Sequence, residues 1–144
     1  MAYFAKINTD NVVEETLFVR NELITADEIK TEEQKGIEHL QKMFGADKTF
    51  VQCSYNTHAN QYYVEDETGY HVASEELQSK KLRKNYPSPG WIWDSSRDCF
   101  YEPKIFDSWV FNEDTACYEA PVAYPSDDTK VYQWDEVNQE WTVV

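Results

Sequence analysis

The sequence predicts a β-rich α+β protein, in which an N-terminal hairpin, a strand and one main helix precede an array of three aromatic β-hairpins. Three observations predict this class: a threefold aromatic pattern after residue 90, one capping box ahead of a helical apolar spacing, and strand-like composition in most other segments. We predict two domains, an N-terminal α+β domain over residues 1–86 and a C-terminal hairpin-repeat region over residues 87–144.

The N-terminal region is predicted to start with a hairpin and continue into the helix. Residues 2–19 alternate loosely between apolar and polar, around the turn cluster at Asp10. Thr31 and Gln34 form a capping box, because each side chain can satisfy a free N–H at a helix start. A helix is therefore expected over about residues 32–44, with Gly45 as its left-handed cap.

The middle of the chain is predicted to be mixed. Residues 49–55 have strand composition, and a hairpin is expected between 62–64 and 70–72, with Gly69 near the return. Ser74 is expected to cap a short helix that ends near Leu82. Prolines and Gly90 then introduce the array.

Three copies of one pattern define the C-terminal region. An aromatic is followed two residues later by a second aromatic, then directly by Asp or Asn, and a third aromatic comes seven residues after the second. Residues two apart share a strand face, and the Asp or Asn can begin a turn by accepting backbone hydrogen bonds. The third aromatic then returns opposite the second in a hairpin with a loop of about four residues. The nine aromatics are the candidate interaction residues: Trp91, Trp93, Phe100, Trp109, Phe111, Tyr118, Tyr132, Trp134 and Trp141.

These rings have two interpretations. They form the core of a small β structure, or part of the stripe stays exposed as a platform for a sugar ring or a neighbouring protein. An isolated hairpin is marginal in water, so the three are expected to pack on each other and the helix, or on a partner.

Composition limits the classes of function. The net charge of −14 disfavours nucleic-acid binding, since such a surface repels phosphate backbones. We expect no membrane segment and no secretory signal, because the chain has no long apolar run and no basic start before an apolar stretch. The three cysteines are expected to be free thiols, given their odd number and the lack of a C-x-x-C motif.

No catalytic motif or cofactor site is predicted. The sequence has no G-x-S-x-G motif and no Gly-rich phosphate loop, and its three histidines are not at metal-ligand spacing. Acid pairs could act in glycoside hydrolysis or hold Ca²⁺, but they fall in predicted turns, where Asp is expected for conformational reasons. The pairs are Asp94/Asp98, Glu113/Asp114, Asp127/Asp128 and Asp135/Glu136.

The chain resembles a family of small acidic, aromatic-rich proteins of marine bacteriophages, especially those of cyanobacteria. The residues that carry the resemblance are Phe50 to Thr57, Leu82 to Tyr86, Trp93-Asp94 through Arg97 to Phe100 and Pro103, Ser108-Trp109, Ala120-Pro121, Tyr124-Pro125, Tyr132 to Glu136, and Trp141. Residues 87–91 depart from the more Gly-rich link of the family, and the regions 30–45 and 60–81 are longer than in its short members.

The resemblance implies a phage protein and supplies no catalytic residues. We therefore expect a non-enzymatic virion component, such as a head decoration, neck or tail part, made in the host cytoplasm and packed in several copies against other virion proteins. Two alternatives stay open. One is a module that binds host-surface glycan by stacking sugars on exposed Trp, and the other is an acidic intracellular effector that occupies a basic host protein.

Overall fold

The computed structural model describes residues 1–144 and confirms the β-rich α+β class. Twelve short strands and two helices alternate with turns. The helices are α1 (Asn21–Ile24) and α2 (Glu32–Phe44). The strands are β1 (Ala2–Ile7), β2 (Val13–Val19), β3 (Thr49–Cys53), β4 (Thr57–His58), β5 (Gln61–Glu65), β6 (His71–Ala73), β7 (Ile92–Asp94), β8 (Cys99–Tyr101), β9 (Val110–Asn112), β10 (Cys117–Glu119), β11 (Tyr132–Asp135) and β12 (Glu140–Val143).

A three-stranded antiparallel sheet with the order β2-β1-β3 forms the centre of the fold. Alternate residues of β1 serve opposite faces, as the period of two requires. Phe4 packs with Leu40 of α2 on one face, whereas Ala5 packs with Phe100 of the first aromatic hairpin on the other. The sheet therefore lies between a helix layer and a hairpin layer.

The main helix begins and ends where the sequence predicts. Thr31 accepts a hydrogen bond from the Gln34 N–H, and the Gln34 side chain accepts one from the Thr31 N–H, so the capping box is confirmed. Gly45 has a φ of 122° and a ψ of 142°, so its φ is positive, but the expected left-handed helical cap is wrong. Its N–H still donates to the Gln41 carbonyl and closes the last turn.

The predicted short helix over residues 74–82 is wrong, because only a single 3₁₀ turn forms, at Gln78–Lys80. The Gln78 side chain explains the difference. It accepts from the Tyr62 N–H and donates to the carbonyls of Tyr62 and Ser74, which ties this segment to β5. The neighbouring hairpin is confirmed, with Val64 opposite Val72.

All three aromatic hairpins form in the predicted register. The second and third aromatics of each repeat face each other across their strands: Trp93 and Phe100, Phe111 and Tyr118, and Trp134 and Trp141. In each loop the Asp or Asn accepts backbone N–H groups two or three residues ahead, at Asp94, Asn112 and Asp135. The residue before each returning strand has a left-handed φ, at Asp98, Ala116 and Gln139.

The first hairpin is bonded to the N-terminal sheet across the proposed boundary at residue 87. The Val13 N–H donates to the Trp91 carbonyl, and the Gly90 N–H donates to the Val13 carbonyl. An isolated bridge joins Val12 and Ile92. The division into two domains stays a prediction, and this hairpin shares a core with the residues before that boundary.

Candidate functional site

The aromatic rings link the three hairpins into a chain, and this ring array is the candidate site. Tyr101 follows the buried Phe100 and points to the other face of β8. Its ring centroid lies 5.2 Å from that of Phe111 and 6.1 Å from that of Tyr118. In the ring array, the first hairpin therefore contacts the second through Tyr101, whose ring packs edge-on against the cross-strand pair of Phe111 and Tyr118.

Trp109 makes the next link, between the second and third hairpins. Its ring centroid lies 6.5 Å from Trp134 and 6.3 Å from Trp141, and these two rings are 5.2 Å apart. The Phe106 ring packs against Trp109, with the two ring centroids 5.3 Å apart. The indole N–H of Trp109 is buried without a hydrogen-bond partner, so ring contacts rather than polar ones hold this residue.

None of the nine sequence-predicted aromatics is an exposed residue. Phe100 and Trp134 are buried, and the other seven are half-buried. Since tilted or edge-on aromatic pairs at these separations contribute about 0.5–1.5 kcal/mol beyond their burial, the array stabilises its own arrangement. The structure brings eight of the nine rings into aromatic pairs with another ring, and Trp91 packs instead against the cluster that contains Phe100.

Glu136 joins the third hairpin to the link before the second. Its Oε2 accepts from the Trp134 indole N–H at 2.8 Å and from the Ser108 hydroxyl at 2.6 Å. Its Oε1 accepts from the Ser108 backbone N–H at 2.9 Å. These hydrogen bonds, from Ser108 first and then Trp134, lower the pKa of Glu136 below its ordinary value. The carboxylate is thus a structural acceptor that fixes the Trp134 ring.

Arg97 joins the loops of the first and second hairpins. Its guanidinium makes a bidentate pair with Glu113, at 2.9 and 3.0 Å, and a third contact with Asp94 at 2.8 Å. The same group lies 5.3 Å from the Phe111 ring centroid. Hydrogen bonds to Arg97 lower the pKa of both carboxyl groups.

Asn85 is the polar centre at which the hairpins meet the middle of the chain. Its side chain is fully buried. Oδ1 accepts from the Ala59 N–H at 2.8 Å, and Nδ2 lies within donating distance of three carbonyls. Those carbonyls belong to Phe100, Thr115 and Ala116, at 3.0, 3.1 and 3.1 Å. One amide therefore satisfies backbone groups from three separate segments.

Each acid pair suggested by the sequence has at least one carboxylate that is bonded within the fold. Asp98 accepts from Arg83 at 3.1 Å, and Asp127 accepts from the Thr129 N–H and hydroxyl. Asp135 accepts from two backbone N–H groups of its own loop. No group of three or more His, Cys, Asp or Glu side chains is placed to hold a metal ion.

Sequence reasoning missed the apolar side chains that do remain exposed on the array. Tyr124 is 53% exposed and packs edge-on against Trp141, with ring centroids 4.9 Å apart. It lies in a link outside the repeat pattern, so the spacing gave no signal for it. The other exposed large apolar residues of the array are Ile105, Val110, Val122, Val131, Val137, Val143 and Val144.

Comparisons with known proteins leave the site to be interpreted from its own geometry. No helix of the chain has both the length and the apolar character needed to cross a bilayer. The chain matches no protein-family model, no curated protein and no solved structure.

Proposed function

We propose that the protein is a non-enzymatic structural or accessory component of a bacteriophage virion, acting through protein–protein contacts of its hairpin array. The phage assignment comes from the resemblance of the sequence to small acidic phage proteins. The contact role comes from the array itself. A head decoration, neck or tail component is the expected class of part, and other virion proteins are the expected partners.

One observation carries the contact role: ion pairs, hydrogen bonds and ring contacts join each hairpin of the array to the next. Arg97 joins the loops of the first two hairpins, and Glu136 joins the third hairpin to Ser108. Aromatic rings pack against each other between neighbouring hairpins. A segment built in this way presents a fixed surface, which is what a packing component needs. Ordered interfaces bind more tightly when little conformational freedom is lost on association.

Exposed valine side chains make parts of the array surface apolar where the aromatic rings do not cover it. Val110 is 62% exposed, Val131 is 67% exposed and Val137 is 92% exposed. Branched apolar side chains on rigid hairpins lose little rotamer entropy when a partner covers them. We therefore expect the valine faces, rather than the Trp rings, to make the intermolecular contacts.

Mass spectrometry of purified particles tests the virion assignment. The protein is expected in the particle at a fixed copy number relative to the major capsid protein. A variant with Val110→Asp and Val131→Asp should fold normally but be lost from particles. Gln133→Asp is the control: it adds charge at an exposed array position and should be retained in particles. Absence of the wild-type chain from particles would overturn the proposal.

A glycan-binding module is the second candidate, and Tyr124 favours it. Its half-exposed ring stands edge-on to Trp141, whose indole N–H is anchored on the Val122 carbonyl at 2.8 Å. A fixed, exposed aromatic face is the feature on which a sugar ring can stack. Tryptophan fluorescence titrated with host polysaccharide tests it: a response in the wild type that Tyr124→Ala removes would support glycan binding, and no response would refute it.

A further inference from the structure

A groove of about 470 Å³ lies at one end of the central sheet, where β1 begins and β3 ends. Three parts of the chain contribute polar side chains to it: Glu32 of α2, Gln52 of β3, and Ser79 and Lys80 of the 3₁₀ turn. Its volume is that of a small-ligand site, since such sites span about 300–1,000 Å³. None of the array residues lines it, so this groove is separate from the candidate site described above.

Gln52 places a largely buried amide at the groove. The residue is 9% exposed, and its Nε2 donates to Oε2 of Glu32 at 3.1 Å. Its Oε1 accepts from no protein group and is not fully buried, so it opens onto the groove that the residue lines. Buried side-chain polar atoms almost always have a partner, so this amide oxygen is an acceptor that a ligand can use.

The backbone of Gln52 is fixed, which fixes the position of its amide. The Gln52 N–H donates to Glu33 at 3.1 Å, and the Gln52 carbonyl accepts from Arg83 at 2.7 Å. Arg83 also donates to Glu33, at 3.0 Å. The Gln52 amide and the Glu32 carboxylate are therefore held side by side before any ligand arrives, and such preorganisation lowers the free-energy cost of binding.

Tyrosine rings form another part of the groove wall. Tyr3 and Tyr55 line the groove with ring centroids 5.8 Å apart and an angle of 30° between their planes. Tyr86 lies outside the groove and packs edge-on against both rings, at 5.8 and 5.3 Å. Its hydroxyl donates to Thr16, which holds it in place. Since Tyr55 is 61% exposed, the groove offers a fixed aromatic surface beside its hydrogen-bonding groups.

The charged side chains of the groove favour an uncharged ligand. Glu32 and Lys80 are the only two charged side chains that line it, so a cation meets the ammonium group and an anion meets the carboxylate. The remaining polar side chains are neutral amides and hydroxyls, which both donate and accept: Asn21, Gln52, Ser54, Tyr55, Asn56, Tyr62 and Ser79. Hydroxyl groups match such a set, because each of them also donates and accepts.

We propose that this groove binds a neutral saccharide. One sugar hydroxyl donates to Oε1 of Gln52, a neighbouring hydroxyl donates to the Glu32 carboxylate, and the apolar face of the sugar ring packs on Tyr55. The site is distinct from Tyr124, which lies on the array. The inference does not rest on a role in the virion, because it uses residues before the array and can fail independently.

Ligand-observed saturation-transfer NMR of the full chain tests the proposal. The probes are glucose, galactose, mannose, N-acetylglucosamine, maltose and cellobiose at millimolar concentration. At least one of these sugars is expected to receive saturation from the wild-type protein. No Trp lines the groove, so the method must observe the ligand rather than tryptophan emission.

Two variants place the sugar in the groove. Gln52→Leu keeps the side-chain size and the backbone bonds to Glu33 and Arg83, and it should weaken binding about tenfold with an unchanged circular dichroism spectrum. Glu32→Ala changes a half-buried residue in the first turn of α2 and should weaken binding by a similar factor. Glu38→Ala is the matched control, since it removes an exposed Glu from the same helix outside the groove and should bind as the wild type does.

Three results would overturn the proposal. The first is the absence of saturation transfer to every sugar of the panel. The second is stronger binding of acetate, methylguanidine or glycine than of any sugar, since the ligand would then be charged. The third is binding that Tyr124→Ala removes and that Gln52→Leu and Glu32→Ala both leave intact, which would place the sugar on the array.

Discussion

The side-chain amide of Asn85 donates to the Ala116 carbonyl across 3.1 Å, and it joins a segment before the array to the loop of the second hairpin. Ala116 itself is buried and has a left-handed φ of 53°. The hydrogen bond therefore fixes the second hairpin at the residue where its backbone is strained. No ring contact could do this, because the group to be satisfied is a buried carbonyl.

Replacing Asn85 should destabilise the protein more than replacing any single exposed polar residue. Asn85→Ala leaves the Phe100 and Ala116 carbonyls without this donor and opens a small cavity. Unsatisfied buried polar groups cost about 1–3 kcal/mol each, so we expect a loss of about 3 kcal/mol in the free energy of unfolding. Urea denaturation followed by tryptophan fluorescence measures this loss.

The control for that variant is Gln133→Ala, at an exposed strand position, which should change the free energy of unfolding by less than about 0.5 kcal/mol. If Asn85→Ala were as mild as the control, the buried amide could not be the joint between hairpins.

Gly36→Ala should destabilise the protein even though alanine is the better helix former. A Cβ at residue 36 would clash with Cζ of Phe4, a ring that is fully buried. Overpacking of this kind costs about 1–3 kcal/mol, against a propensity gain of about 1 kcal/mol. Thermal unfolding should show a lower midpoint.

A second substitution distinguishes a steric clash from other effects of Gly36→Ala. Phe4→Leu shortens the side chain at the point of contact, so the double variant should be less destabilised than the sum of the two single variants. Additive losses would show that the contact with Phe4 is not the cause.

The Trp134 environment should depend on pH through Glu136. The Ser108 and Trp134 hydrogen bonds lower the pKa of Glu136 in the folded protein. This stabilisation is therefore present above the ordinary carboxyl pKa of about 4.3 and is lost as the pH falls through the lower folded value. A change in tryptophan emission is expected in that acidic range.

Glu136→Gln should flatten this acidic change, because an amide does not titrate. Glu140→Gln removes the same charge from an exposed position of the same hairpin and should leave the change intact. Equal acid profiles for the two variants would show that other carboxyl groups, such as Asp94 or Glu113, control the emission.

Much of the fold follows from sequence because its signals are local. The capping box needs only Thr31 and Gln34, and the hairpin register needs only the spacing of aromatics such as Trp134 and Trp141. The arrangement of the hairpins did not follow in the same way. The contact of Tyr101 with Phe111 and the bonds of Asn85 join residues of different segments, and no periodicity encodes them.

The failed helix prediction has the same origin. Ser74 does accept from the Leu77 N–H, as a helix cap would. However, Gln78 bonds to Tyr62, and that tertiary contact prevails over local helix propensity. For the candidate site, the sequence identified rings that lie together. It did not show that Tyr124 faces solvent while Trp134 is buried, because the exposure of a ring depends on tertiary packing.

Gln139→Gly should stabilise the third hairpin. Gln139 precedes the returning strand, is exposed, and has a left-handed φ of 50°. A left-handed conformation costs a residue with a Cβ about 1–2 kcal/mol, whereas glycine adopts it without this strain. Part of the gain is offset, because glycine gives the unfolded chain more conformational entropy to lose on folding. We expect a net gain of up to about 1 kcal/mol in the free energy of unfolding, measured by urea denaturation.

Gln133→Gly is the matched control, because it places glycine at an exposed position of β11, where the backbone is extended. It should cost about 0.5–1 kcal/mol, since glycine weakens a strand interior and offers no relief of strain there. Equal losses for the two variants would mean that the loop tolerates its left-handed residue without strain. Opposite signs would establish that the third hairpin is strained at the residue before its returning strand, the position at which the other two hairpins also have a left-handed φ.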